Sequence, residues 1–283
     1  QPLMPEDGSM TFEAWIKPDE GMDGGQVLAM MGDGGWVLYL MCGGSDCTGS
    51  GDSSTCRTDT EKVLAFSQGG DYDWGTDGWH IDCRHVKGDT QKGSTQTVDR
   101  GKWSHVAVRT SWDDALTVDF SIDGVAAGTD NISANLAGGY SPSGVYLTLG
   151  RTNTCESNSD GCFKYFGYMD GVRLWNTNLM YDTIASRSSE LAYPFHPNVD
   201  DLLFEYTFDN APAGAVALDG SLNARHATVQ MCNGVCDPRA TRSSAENVVF
   251  DKSTFSKNDR ALVFDGDTRY EIDGPDAATA FAP

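Results

Sequence analysis

The sequence predicts an all-β chain, a two-sheet antiparallel sandwich with one short helix and a long loop insertion stapled by disulfides. Three observations carry this. Apolar and polar residues alternate over short stretches, Gly, Asp and Asn punctuate them, and helical periodicity is confined to one place. Such a pattern matches sandwiches built from many short strands and Gly-rich turns.

The first strand is MTFEAWIKP, which sets Phe12, Ala14 and Ile16 on one face and Thr11, Glu13, Trp15 and Lys17 on the other. QVLAMMGDGGWVLYLMC, Gln26 to Cys42, reads as two strands joined by a Gly-rich hairpin turn. KVLAFSQ, KWSHVAVRT, LTVDFSIDG, GVYLTLGR, FGYMDGVRLWN and LLFEYTFDN extend the pattern. The helix is expected within Leu179 to Leu191, where Leu179, Met180, Ile184 and Ala185 supply the apolar positions. Between Cys42 and Val98 lies a segment rich in Gly, Asp, Ser and Thr with few strand signals, longer than ordinary loops.

At 283 residues the chain can bury a sizeable core as a single sandwich. Its 41 Asp+Glu against 20 Lys+Arg give a formal net charge of -21, a field that excludes nucleic acid as a partner. Charge of that size is offset by ionic strength or by bound cations such as Ca²⁺, or it serves solubility alone. No apolar run is long enough to span a membrane. Gln1 in place of an initiator methionine reads as a processed or excised piece.

The eight cysteines are Cys42, Cys47, Cys56, Cys83, Cys155, Cys162, Cys232 and Cys236. Their even count reads as an oxidised framework and places the chain outside the cytosol, extracellular or at the cell surface. The pair Cys232 and Cys236 has no second ligand pair for zinc. Eight cysteines allow about 105 connectivities, which sequence alone does not resolve; nearness along the chain suggests Cys155 with Cys162 and Cys232 with Cys236, leaving the first four to pair among themselves. The sequon Asn131-Ile132-Ser133 reads as a glycosylation site in a polar stretch following a strand.

Several segments, taken in order, resemble laminin-G-like, concanavalin A-like jelly rolls: SMTFEAWIKP, GKWSHVAVRT, DFSIDGVAAG, YLTLGR and FGYMDGVRLWN. The pieces with which such domains usually begin stand here at the far end: LLFEYTFDN for the opening strand, DGSLNARHATV for the turn after it, and ALVFDGDTRYEIDG for the strand pair that follows. The resemblance therefore divides the chain into residues 1–199, the main sandwich with its insertion at about 42–98, and residues 200–283, which complete this domain by circular permutation or complete a neighbouring copy. It also implies one Ca²⁺ held by Asp170, Asp209, Asp219 and Asn223, against the alternative that these residues make turn hydrogen bonds. At Leu222 the chain departs from the glycine usual in that turn.

The same fold includes glucan hydrolases, in which carboxylates two residues apart share one face of a groove. Glu271-Ile272-Asp273, with Asp276 beyond, resembles that spacing, but Gly274 and Pro275 break the strand before a third carboxylate can align. No nucleophile elbow, zinc-protease helix or phosphate-binding loop is present. The expectation is a non-catalytic recognition or assembly module. Trp103 and His105 read as members of a core strand. Tyr72, Trp74, Trp79 and His80 lie among aspartates in the insertion, where they either stack on sugars as a lectin surface or anchor the loop to the sheet. The partners this reading leaves are an extracellular protein, a glycan, or a second copy joined head to tail by strand donation.

Overall fold

The computed structural model describes residues 9–19, 26–31, 36–42, 47–48, 55–56, 61–68, 91–112, 116–132, 147–150, 165–188, 196–208, 216–233, 235–236, 248–249, 260–265 and 268–272. Within these, the strands in chain order are β1 (Met10–Pro18), β2 (Gln26–Met31), β3 (Trp36–Cys42), β4 (Cys47–Thr48), β5 (Thr55–Cys56), β6 (Glu61–Gln68) and β7 (Gln91–Asp99). Next come β8 (Ser104–Trp112), β9 (Leu116–Ile122), β10 (Val125–Ile132), β11 (Leu147–Leu149) and β12 (Phe166–Trp175). After the helix α1 (Tyr181–Arg187) and a 3-10 turn at Val199–Asp201 follow β13 (Leu202–Tyr206), β14 (Val216–Ala217), β15 (Ala227–Asn233), β16 (Val235–Cys236), β17 (Val248–Val249), β18 (Arg260–Asp265) and β19 (Thr268–Ile272).

Two antiparallel sheets result. Sheet A runs β10-β9-β8-β1-β12-β18-β17, with β13 also on β12. Sheet B runs β14-β15-β19-β11-β2-β3-β6-β7, with β16 on β15. The alternation read in β1 is the one the core uses: Phe12, Ala14 and Ile16 are buried in the main cluster. Phe12 of sheet A meets the edge of Trp36 of sheet B at 5.9 Å, and Trp36 stacks on Phe66 of β6 at 6.0 Å, so one aromatic line crosses the sandwich.

Three expectations change in detail. Besides the expected strand β6, the segment between Cys42 and Val98 holds most of β7, which pairs along β6 in sheet B despite its polar sequence QKGSTQTVD. Here Ser94 replaces an apolar packing partner with a hydrogen bond, its hydroxyl accepting from Leu64 N at 3.0 Å. The helix is shorter than the span Leu179 to Leu191, covering seven residues. Asn131 lies within β10 and is exposed, opposite Thr117, whose hydroxyl donates to Asn131 Oδ1 at 3.0 Å.

One side of β12 is shared. Phe166 to Met169 pair with β18, and Val172 to Trp175 pair with β13. Between them lie Asp170 and Gly171, the latter in the left-handed region at φ 55, with the Gly171 N–H donating to Asp170 Oδ1 at 2.7 Å. Gly167 is held closer still, at φ 139, where an added Cβ would sit 2.2 Å from Lys17 O. The strands after residue 200 thus pair with β12 and β11 of this same chain.

Candidate functional site

Three groups of side chains stand out, and the first lies on the outer face of sheet A beneath α1. Glu13, Arg173 and Glu205 occupy neighbouring outward positions on β1, β12 and β13. Arg173 donates to Glu205 Oε1 at 2.9 Å through Nε and to Glu13 Oε1 at 3.3 Å through a terminal nitrogen, and all three side chains are buried. Trp175 Nε1 donates to the same Glu13 oxygen at 3.0 Å, and His105 Nε2 lies 3.3 Å from the other. Burial alone would raise the Glu13 pKa, but the Arg173 guanidinium, with His105 and Trp175 beside it, outweighs that and holds it at about 2. Burial likewise disfavours the charged Arg173, yet the two glutamates raise its pKa above the ordinary value.

The helix is fixed by this cluster. At seven residues it is too short to persist alone in water. Its C-terminal end accepts Trp15 Nε1 at Ser188 O, 2.9 Å, and Arg173 at Arg187 O, 3.4 Å. At its start Arg109 donates to Leu179 O at 2.6 Å and to Asp119 Oδ2 at 2.7 Å, with its guanidinium 3.7 Å from the centre of the Tyr181 ring. Beneath it Ile184 joins Ala107, Trp175, Leu179 and Leu202 in a small second core. His105 accordingly belongs to the buried structure, as the core-strand reading holds.

The second group is the turn between β14 and β15, which contains two of the residues expected to hold Ca²⁺. Asp219 Oδ1 accepts from Glu205 N at 2.9 Å and Ser221 N at 2.8 Å, while Oδ2 accepts from the Ser221 hydroxyl at 2.8 Å and Arg225 N at 2.7 Å. These four donors fill the four acceptor positions of a carboxylate, so a cation could bind only by displacing one. Asn223 donates its amide to Leu202 O at 2.7 Å and to Leu203 O at 3.1 Å. Asp219 and Asn223 thus tie the turn to β13. Asp170 lies on β12 beside Gly171, and Asp209 lies outside the described residues. Among the described residues no three His, Cys, Asp or Glu converge to hold a metal ion.

The backbone of this turn answers the question raised by Leu222. The left-handed residue is Ala224, at φ 49, and Leu222 is exposed. A glycine is not required at Leu222 because the tight point falls two residues later.

The third group is at the surface of sheet A, one pair of residues further along β1 from Trp15. Lys17 and Tyr168 are register partners, and the Lys17 ammonium lies 5.5 Å from the centre of the Tyr168 ring. Trp103, just before β8, has its ring centre 6.2 Å from that of Tyr168, with the rings inclined by 55°. Trp103, Lys17 and Tyr168 are each partly exposed. The sequence reading missed this row, since KWSHVAV suggested a buried strand throughout. The signal was the alternation itself, which sends Trp103 to the side opposite Ser104.

The aromatic loop residues Tyr72, Trp74, Trp79 and His80 lie outside the described residues, as do Cys83, Cys155 and Cys162. On the face of sheet B away from the core cluster, β2, β3 and β11 place Val27, Met30, Val37, Tyr39 and Thr148, all buried. Glu271 pairs with Thr148 across β19 and β11, while Asp273 and Asp276 lie outside the described residues.

Comparison with known proteins places the fold. Residues 50–185 match the family model of the concanavalin A-like lectin/glucanases superfamily. No curated protein matches the chain. Among solved structures, a candidate carbohydrate binding protein from Bacteroides ovatus ATCC 8483 aligns with a TM-score of 0.51 at 17% identity, over 78% of this chain and 52% of that one. The chain therefore spans about half the length of that protein. A heptameric SAP-like pentraxin from Limulus polyphemus aligns at 0.41 and 14% identity, over 70% and 76% of the two chains. Domain 4 of an extracellular GH43 arabinanase from Geobacillus stearothermophilus, solved with arabinotriose, aligns at 0.37 and 14%, over 65% and 68%. At such identities the likeness is one of fold.

Proposed function

We propose that this chain, whose residues 50–185 carry the signature of the concanavalin A-like lectin/glucanases superfamily, is a non-catalytic carbohydrate-binding module that works outside the cell. The observation that carries the reading is the row Trp103, Tyr168 and Lys17. Two partly exposed rings offer apolar faces to the C–H side of a sugar, and the ammonium beside them can donate to its hydroxyls. The description of the Bacteroides ovatus protein, similar in fold, agrees with that direction.

Catalysis finds less support. Glycoside hydrolysis requires two carboxyl groups roughly 5–10 Å apart across an accessible bond. Glu13 and Glu205 are both committed to Arg173 under α1, and Asp219 spends its oxygens on its own turn and on Glu205 N of β13. Strand donation between copies also loses its motive, since β13, β18 and β19 find partners within the chain. The net charge of -21 favours a neutral glycan over an acidic one.

The test is a glycan array probed with the purified chain, followed by titration of the best ligand. Trp103→Ala and Tyr168→Ala should each weaken binding by about tenfold or more, given about 1–2 kcal/mol for a lost aromatic face. Their melting midpoints should stay near that of the parent. Unchanged affinity in both, with loss on Trp74→Ala instead, would move the site to the sequence between β6 and β7. Absence of any glycan signal, or release of sugar products, would overturn the reading.

A further inference from the structure

We propose that Cys47 is joined to Cys56, and Cys232 to Cys236, by two cross-strand disulfides that staple the same end of sheet B. Cys47 stands directly opposite Cys56 in the β4–β5 pair, with Thr48 opposite Thr55. Cys232 stands directly opposite Cys236 in the β15–β16 pair, with Asn233 opposite Val235. Residues opposed in an antiparallel ladder have Cα atoms about 4.5–5.5 Å apart, which falls inside the roughly 4.4–6.8 Å that a disulfide bridges. Register alone thus selects one pairing for each of these cysteines. For the first four cysteines the sequence left that choice open.

The hairpins also need such a bond. β4, β5 and β16 are two residues long, and among the described residues β4 and β5 pair with no other strand. A lone two-stranded hairpin is marginal in water even when longer. A covalent tie across each ladder supplies what so few main-chain hydrogen bonds cannot.

Both hairpins hang from one end of the sheet. β3 runs out at Cys42, two residues past the pair Leu40 and Gln26, and the β4–β5 hairpin lies between β3 and β6. β15 runs out in the same direction, because Val229 pairs with Tyr270, Tyr270 with Leu149, and Leu149 with Ala29. Oxidation therefore rigidifies one rim of the sandwich. Each bond forms as two thiols give up two protons and two electrons to a disulfide donor, a protein or a small-molecule disulfide that is itself reduced to two thiols. The chain would meet such a donor in an oxidising secretory compartment.

The experiment is a thiol map of the chain exported through an oxidising compartment. It is denatured without reductant, treated with a maleimide, and cut with an endoprotease that cleaves before aspartate. Cleavage before Asp46 and Asp52 puts Cys42, Cys47 and Cys56 on separate fragments, while Cys232 and Cys236 share one fragment. The expected result is a crosslinked pair of fragments carrying Cys47 and Cys56, and a Cys232 to Cys236 fragment that is unmodified and two hydrogens lighter than its reduced form. Maleimide on any of these four, or a crosslink from Cys47 to a cysteine other than Cys56, would overturn the proposal. As a second reading, Cys47→Ser should expose one new thiol, at Cys56, and a new thiol elsewhere would count against the assignment.

Discussion

Glu13 keeps its charge in a place nearly closed to water because Arg173, Trp175 and His105 surround its two oxygens. Removing one partner of a buried ion pair costs about 3–5 kcal/mol, since the other is left unbalanced. Glu13→Gln should therefore lower stability by about that amount in denaturant titration at pH 7. The pH dependence has a definite sign. The folded pKa of about 2 lies below the ordinary 4.5, so the stabilisation is complete above pH 4.5 and fades as pH falls toward 2. The difference corresponds to about 3 kcal/mol in all. The parent should lose this between pH 4.5 and pH 2, and the Gln variant should show a flatter acid limb; identical acid limbs would refute the assignment. The sequence hid this residue because strand alternation gives Thr11, Glu13, Trp15 and Lys17 one face without saying what lies over it. Trp15 and Trp175, two outward tryptophans, were the available hint, as a fully solvated face rarely carries them.

Strands were legible where side chains alternate and obscure where backbone hydrogen bonding does the work. β1, β2, β3, β8, β9, β12 and β13 all appear at or near the expected spans, since each presents apolar residues at every second position. β7 and β10 were harder, being polar strands at the margins of their sheets that owe their place to partners already in the fold. The turn after β14 shows the same limit on a smaller scale: Asp219 and Asn223 were singled out as cation ligands, while their protons and oxygens are spent on backbone groups of β13 and the turn itself. An element that depends on one strained alanine is open to improvement. Ala224 sits at φ 49, where a Cβ costs about 1–2 kcal/mol and a glycine does not. Ala224→Gly should raise stability by about 0.5–1 kcal/mol after the entropy lost by glycine, measured by chemical denaturation. A drop in stability would show that the alanine is better placed than its dihedral suggests.

At the scale of the whole molecule, the sandwich architecture and its likeness to concanavalin A-like jelly rolls were readable from the order of a few motifs, but the closing arrangement was not. Sequence order alone left residues 200–283 free to complete this chain or a neighbour. β13, β18 and β19 pair with β12 and β11 of the same chain, the arrangement that a circular permutation would use. Size-exclusion chromatography with light scattering should accordingly find a monomer across concentrations, and mass growing with concentration would restore the assembly reading. The filled acceptors of Asp219 make a companion prediction: Ca²⁺ and chelator should give the same melting midpoint, because only a ligand bound to the folded state raises it. A clear rise with Ca²⁺ would place a cation site at residues beyond Asp219.

The position of β19 has a consequence for how the chain reaches this state. It lies between β15 and β11, so until Thr268–Ile272 is in place sheet B is two separate pieces. Likewise the side of β12 that receives β18 waits on residues near 260. During synthesis the preceding strands therefore stand with open edges, and closure of both sheets is deferred until residues 260–272 have emerged. A sandwich wired in this way closes late, and it has most need of chaperone cover in the interval before β18 and β19 arrive.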